Sequence, residues 1–165
     1  MTDGSGTNTF AVGPAGTAVL GQIPGTATND AASTGKIGEF ATANATAAGA
    51  IALTNNSATS AISLPLSAGD WDVWGQAVFK AAAITVTTLL TAGINSTAAQ
   101  PAITSGGLAQ LGLGAGLTGI GDTSVNVGPT RLSLAAAGTA FLMGTLAFSV
   151  STASLYGVIQ ARRAR

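Results

Sequence analysis

Few side chains in this sequence could perform acid–base or nucleophilic chemistry. It contains no cysteine and no histidine, which excludes thiolate nucleophiles, disulfides, the usual zinc sites and every Ser-His-Asp or Cys-His arrangement. The remaining titratable side chains are six basic residues, six acidic residues and one tyrosine, Tyr156. Histidine is the side chain that normally carries protons at neutral pH, so we predict that the chain is not an enzyme.

Asp70 and Asp72 form a pair of neighbouring carboxylates. On a strand they would lie on the same side, with Cα atoms about 6.5–7 Å apart. That separation suits a two-carboxylate glycosidase or part of a calcium site. No other acidic cluster accompanies the pair in the sequence, and Ca²⁺ needs about six to eight oxygen ligands. We therefore predict a solvated strand end, with no catalytic residue and no bound metal.

A glycine-rich region covers residues 98–127 and contains a formal G-x-G-x-x-G at Gly114, Gly116 and Gly119. The dinucleotide-binding fingerprint requires a preceding strand, a following helix and an acidic residue about 20 positions further on. Asp122 comes too early and no helical pattern follows, so we predict no cofactor. We expect a long loop or a thin pair of glycine-rich strands, whose small residues would permit close approach along a symmetry axis.

Two tryptophans lie in the strongest strand pattern, residues 70–79. Strict alternation predicts a half-buried strand with Trp71 in the core and Trp74 on the polar face, beside Asp72 and Gln76. Tryptophan is enriched at interface hot spots, which makes Trp74 an interface candidate. The alternative is a tryptophan covered by a loop of its own domain.

Three of the six positive charges are concentrated in Arg162, Arg163 and Arg165. Such a cluster is typical of contacts with nucleic acid or with an acidic protein surface. The sequence offers no broader basic patch and no interleaved aromatic residues, so we predict no nucleic-acid binding. We expect these arginines to contact carboxylates of a sister subunit, where the planar guanidinium is favoured.

The composition indicates a protein that associates. The chain has 165 residues and a net charge of +0, which allows one domain. Only 7% of its residues are charged, against about 25% in soluble globular proteins, and a near-zero net charge promotes association. The charge-free residues 132–150 are also long enough to span a bilayer, which leaves a small membrane protein such as a holin as an alternative. Two buried strands would explain that run equally well, and we predict no membrane partner.

Residues 1–36 are rich in Gly, Thr, Ala and Asn and lack a sustained periodicity, as is typical of a segment that cannot bury enough surface to order itself. We predict an extended N-terminal arm that docks on a neighbouring chain, with Phe10, Val12 and Ile23 as interface candidates. The alternative is an arm that folds back on its own domain. Its first residues lack the basic and apolar runs of a secretory signal, so we expect synthesis in a cytoplasm.

Residues 37–165 form the second predicted domain. Short apolar or β-branched runs alternate there with Gly, Asn, Ser or Pro turns, which predicts an all-β fold, a jelly-roll-like β-sandwich. The predicted strands are 50–53, 61–66, 70–79, 84–90, 130–134, 139–150 and 153–160.

Several blocks of this domain resemble a family of tailed-bacteriophage virion proteins: the trimeric jelly-roll-like module of head decoration or cement proteins, head fibres and tail fibres. The blocks are 35–40, 66–75, 91–95, 128–134 and 156–163. The most specific are Ala-Gly-Asp-Trp-Asp-Val and Tyr-Gly-x-Ile-x-Ala-Arg-Arg. The resemblance covers residues 29–165, although the glycine-rich region departs from it.

The resemblance implies a structural virion protein without catalytic residues. A single such domain suits a capsid decoration or cement protein, which would form homotrimeric knobs on the capsid exterior and stabilise the head. In that interpretation the N-terminal arm binds the major capsid protein, and the chain is made in the cytoplasm of a bacterial host. The alternative within the family is a short head or tail fibre protein that binds a host receptor.

Overall fold

The computed structural model describes residues 31–100 and 107–165. In these residues the chain is almost entirely β-structure, with one short 3-10 turn at Ala47–Gly49. The strands are β1 (Phe40–Ala45), β2 (Ile51–Ala52), β3 (Thr59–Leu66), β4 (Gly69–Ala81), β5 (Val86–Asn95), β6 (Leu108–Thr118), β7 (Asp122–Leu134), β8 (Gly138–Ser149) and β9 (Ala153–Arg163).

The strands form two antiparallel sheets. The first has the order β1-β9-β4-β7, with the short β2 also paired to β9, and the second has the order β3-β8-β5-β6. Apart from β2, each sheet has four strands, and every connection except the one from β5 to β6 crosses from one sheet to the other. This strand order is that of a double-sheet jelly roll. The predicted all-β jelly-roll fold is confirmed.

The core lies between the two sheets and follows the alternation expected for β4. Trp71, Val73, Ala77 and Phe79 point inward, and none exposes more than 1% of its surface. Buried side chains from the second sheet and from β9 meet them, chiefly Leu90, Ile94, Leu142, Leu146, Leu155 and Ile159. Full burial of one such side chain contributes about 1.5–3 kcal/mol, so this layer is the main source of stability.

Gly144 in the middle of β8 allows a large ring to reach the opposite sheet. A Cβ atom at this position would lie 2.8 Å from the Phe79 ring and 2.8 Å from Leu155 Cδ2. Small and large side chains on facing strands interdigitate in this way when a core is packed densely. The glycine is therefore a packing partner of Phe79.

The glycine-rich region forms strands where the structure describes it. Residues 108–118 are β6, and residues 122–127 begin β7, so the predicted run 130–134 is only the second half of a longer strand. The long-loop alternative is thus wrong from residue 108 onward. β6 bulges where its pairing with β5 shifts between Thr87 and Leu89, and Gly114 and Gly116 have φ angles of +59° and +91° there. Such angles are favourable only for glycine.

Two further predictions are corrected. Strand β1 was not predicted, because its alternation of Ala with Thr and Asn is too weakly apolar to be distinguished from a loop. Residues 132–150 form the end of β7, a turn and β8 rather than one helix, so the helical holin interpretation is wrong for this run. Across the two described ranges, no helix has the length and apolar character needed to cross a membrane.

Candidate binding surface

The outward side of the first sheet carries an unusual combination of aromatic and amide side chains, which we call the Trp74 face. All four main strands of the sheet contribute to it at alternate positions, as the two-residue period of a strand requires. Its members are Phe40 on β1, Val158 and Gln160 on β9, Trp74 and Gln76 on β4, and Asn126 on β7.

Trp74 is held on this face by two neighbours. Its indole Nε1 donates a hydrogen bond to Gln160 Oε1 at 2.9 Å, and Gln160 is its direct partner on β9. The Phe40 ring lies at a centroid distance of 6.2 Å and an interplanar angle of 44°, a tilted geometry that aromatic pairs prefer over a flat sandwich. Trp74 is half-buried, so part of the indole remains available to a ligand or partner.

A second amide pair lies beside the tryptophan. Gln76 and Asn126 face each other across β4 and β7, and Gln76 Nε2 donates to Asn126 Oδ1 at 3.0 Å. Each side-chain amide offers both a donor group and an acceptor oxygen, and these bonds use only one of the two. Among the described residues, Gln160 Nε2, Gln76 Oε1 and Asn126 Nδ2 therefore retain hydrogen-bonding capacity.

A bulge in β7 creates a groove next to the indole. Val73 pairs with Thr130 and Gly75 pairs with Val127, so two residues, Gly128 and Pro129, lie opposite Trp74. Proline is tolerated because β7 is an edge strand, and a bulge bends the strand that contains it.

The resulting groove has a volume of about 610 Å³, within the range of small-molecule sites. It is lined by Trp74, Gly75, Gln76, Asn126, Val127, Gly128, Pro129, Val158 and Gln160. None of these residues is ionisable.

The two carboxylates of the sequence motif lie on the same side of β4, and each pairs with an arginine of its own chain. Asp72 is 3.4 Å from Arg131 across half-exposed side chains, a pair that contributes little to stability. Asp70 pairs with Arg165, and its pKa lies below the usual range because Ser133 and then Arg165 donate hydrogen bonds to it. Among the described residues no cluster of three potential acidic, His or Cys metal ligands occurs.

Arg163 lies inside the domain, and only 6% of it is exposed. Its Nε donates to Glu39 Oε2 at 2.8 Å, Nη1 to the carbonyl oxygen of Ala68 at 2.8 Å, and Nη2 to Ser67 Oγ at 2.5 Å. Its Cζ lies 4.4 Å from the centroid of the Trp71 ring, close enough for a cation–π interaction. The guanidinium therefore binds its own chain, which removes Arg163 from the candidates for contact with a sister subunit.

The other predicted interface residues are distributed differently. Arg162 is exposed on the outer face, and the side chain of Arg165 is 75% exposed although it pairs with Asp70. Phe10, Val12 and Ile23 lie outside the described residues. The sequence analysis missed Phe40, Asn126 and Gln160, because alternation marks them only as outward-facing. Their proximity to Trp74 depends on strand pairing.

The Glu39–Arg163 pair predicts an acid-sensitive fold. The pKa of Glu39 is below its usual value of 4.5, first because the Gly35 backbone N–H donates to it and second because Arg163 does. A lowered pKa in the folded state means that this carboxylate stabilises the protein above about pH 4.5 and ceases to do so as the pH falls through the folded-state pKa. We expect the thermal midpoint to fall below that pH, as measured by circular dichroism.

Glu39→Gln provides the control for this pH dependence. The variant should have a lower midpoint at pH 7 and a shallower decline in acid, with the remaining decline due to other carboxylates such as Asp70. An acid decline identical to that of the wild type would show that Glu39 does not contribute.

Comparisons with known proteins place the chain in no family. No protein-family model matches it, and no curated protein matches it. Among solved structures, it is similar to a chain of the infectious bursal disease virus Gx strain, with 12% identity and a TM-score of 0.44 over 87% of this chain and 38% of that chain. A mutant VP2 protein of the same virus, in derived T=1 particles, gives 14% identity and a TM-score of 0.33 over 74% and 28% of the two chains.

The chain therefore spans less than two fifths of the length of either viral chain. Similarity at these identities and TM-scores carries no argument about function. The fold assignment depends on the strand order of the chain itself, which is that of a jelly-roll β-sandwich.

Proposed function

We propose that the chain is a structural protein of a tailed-phage virion, a capsid decoration or cement protein that forms homotrimeric knobs on the capsid exterior. One observation carries the proposal: the two blocks most specific to the resemblance, residues 68–73 and 156–163, are paired in the fold. β4 and β9 are neighbours, with Trp71 opposite Arg163. The residues behind the resemblance thus form one structural unit that closes the domain.

The composition supports a role in which the surface is shared. A chain with 7% charged residues and a net charge of +0 has little to keep its copies apart in solution. In the proposed assembly the β domain forms the trimer, and Arg162 and Arg165 reach carboxylates of sister subunits. The N-terminal arm, residues 1–36 with Phe10, Val12 and Ile23, lies on the major capsid protein. Apolar burial at about 25 cal/mol per Å², repeated at many contacts, would stabilise the head by avidity.

A short head or tail fibre protein that binds a host receptor is the second candidate. The groove beside Trp74 favours it, because a purely structural knob does not need a site of small-molecule size. The two candidates differ in copy number and in which surface is covered.

The copy number per virion tests the proposal. Quantitative gels of purified virions of the phage that encodes the chain should show hundreds of copies per particle for a decoration protein. A few to a few dozen copies would contradict that role and support a fibre. Sedimentation of the purified chain should give a trimer, and a monomer at all concentrations would contradict the homotrimer.

Deleting residues 2–30 tests the arm. The deletion stops before the turn in which Gly35 donates to Glu39, so that the contacts around Arg163 are retained. We expect a soluble trimer that no longer decorates capsids lacking the protein. A truncated chain that still binds these capsids to the wild-type level would show that the arm is not the capsid contact.

A further inference from the structure

We propose that the groove beside Trp74 binds a neutral sugar of a glycan. The proposal goes beyond the structural role in the virion and gives the second candidate function a ligand class. It assigns Trp74 to a ligand rather than to the subunit contact predicted from the sequence.

The lining matches the two kinds of surface that a pyranose ring presents. One face of the ring is a patch of C–H groups, and an indole offers a flat apolar surface of suitable size. The Trp74 indole is fixed by its hydrogen bond to Gln160 and by the Phe40 ring, so little side-chain entropy remains to be lost on binding. Val158 and Pro129 extend the apolar part of the groove.

The edge of a sugar carries hydroxyls, each of which can donate and accept a hydrogen bond. The amides of Gln160, Gln76 and Asn126 line the groove, and the bonds they make to protein leave two NH₂ groups and one carbonyl oxygen with capacity. Because neighbouring side chains already fix these amides, their donors and acceptors are preorganised. A small number of placed polar groups in a largely apolar groove is the usual composition of a ligand site.

Charge selects among sugars. No ionisable side chain lines the groove, and the nearby Asp72 and Arg131 neutralise each other. A sialic acid, uronic acid or phosphorylated sugar would have to leave its charge without a partner in the groove, which is unfavourable. The chemistry therefore favours neutral hexoses or N-acetylhexosamines.

The test uses the indole N–H signals of the full-length protein in ¹⁵N–¹H correlation spectra. The chain has two tryptophans, and Trp71, with 1% exposure, is an internal reference. Maltotriose, N-acetylchitotriose, lactose and mannotriose are titrated separately, with sialyllactose as the charged comparison and glycerol as a polyol without a ring. At least one neutral sugar should shift the Trp74 signal saturably while the Trp71 signal stays in place. Trp74→Phe assigns the two signals.

Variants locate the site. Trp74→Ala should weaken binding, measured by saturation-transfer difference NMR, at least about tenfold, and so should Asn126→Ala, which alters only an exposed side chain of an edge strand and keeps the test valid if the tryptophan variant fails to fold. Leu117→Ser, an exposed position on the second sheet, should bind as the wild type does.

Three results would overturn the proposal: no saturable shift with any neutral sugar, a response to sialyllactose alone, or a Trp74 signal that moves with protein concentration instead of with sugar. The last would show that a second copy of the chain covers this face. None of these results alters the copy number per virion, so the sugar site and the virion role fail or stand separately.

Discussion

Gly157→Ala should prevent the domain from folding. Gly157 lies in the middle of β9 with a φ of +148°, and a Cβ atom there would be 2.0 Å from the backbone oxygen of Gln76. That oxygen cannot move aside as a side chain would, because β4 is paired with β9 on one side and with β7 on the other. We expect a loss of more than about 4 kcal/mol, comparable to the whole stability of many domains.

Soluble expression and guanidinium unfolding measure this effect, and Gly112→Ala is the matched control. Gly112 lies in β6, and a Cβ atom there would have no neighbour within 4 Å. Alanine at such a position should be neutral or stabilise by about 0.4–1 kcal/mol, because it restricts the unfolded chain. Equal unfolding midpoints for the two variants would contradict the close approach of β9 to β4.

Arg163→Met should produce the second large loss. Methionine retains an apolar stem but leaves Glu39, Ser67 Oγ and the carbonyl oxygen of Ala68 without their guanidinium partner. Removing one member of a buried ion pair costs about 3–5 kcal/mol. We expect the lower end of that range, because Glu39 is 15% exposed and water can replace part of the interaction. Arg163→Lys should be intermediate, since an ammonium keeps the charge but not the planar fork.

The adjacent Arg162→Met substitution is the control for charge and length. Arg162 is exposed, so its loss should change the unfolding free energy by less than about 0.5 kcal/mol. A double-mutant cycle of Arg163→Met with Glu39→Gln should be strongly non-additive, because the two side chains are in direct contact. Additive effects would show that the pair does not contribute as a unit.

The buried position of Arg163 explains why charge alone misled the sequence analysis. Three arginines among four residues look like one basic patch, yet on a strand the side chains of Arg162 and Arg163 point to opposite faces. One is exposed and the other lies against Trp71. Gly69 completes the arrangement, since a Cβ atom there would be 2.0 Å from Arg163 Nη1. Nothing local in the sequence connects a glycine at 69 with an arginine at 163.

The groove shows the same division. That Trp74 faces outward follows from a period of two within one strand, which local sequence can reveal. That Phe40, Asn126 and Gln160 surround it depends on β9 lying between β1 and β4 and on the bulge at Gly128 and Pro129. Those two residues read as a turn in the sequence, because glycine and proline mark turns and edge-strand bulges alike.

The sequence by itself determined the fold class, the inward face of β4 and the scarcity of groups for acid–base chemistry. These properties depend on composition and on alternation over a few neighbouring residues. Only the tertiary structure decided which strands pair, where Arg163 is buried and which side chains form the groove. Strand register is selected by the packing of whole faces against each other, and that selection compares residues more than 80 positions apart, such as Trp74 and Gln160.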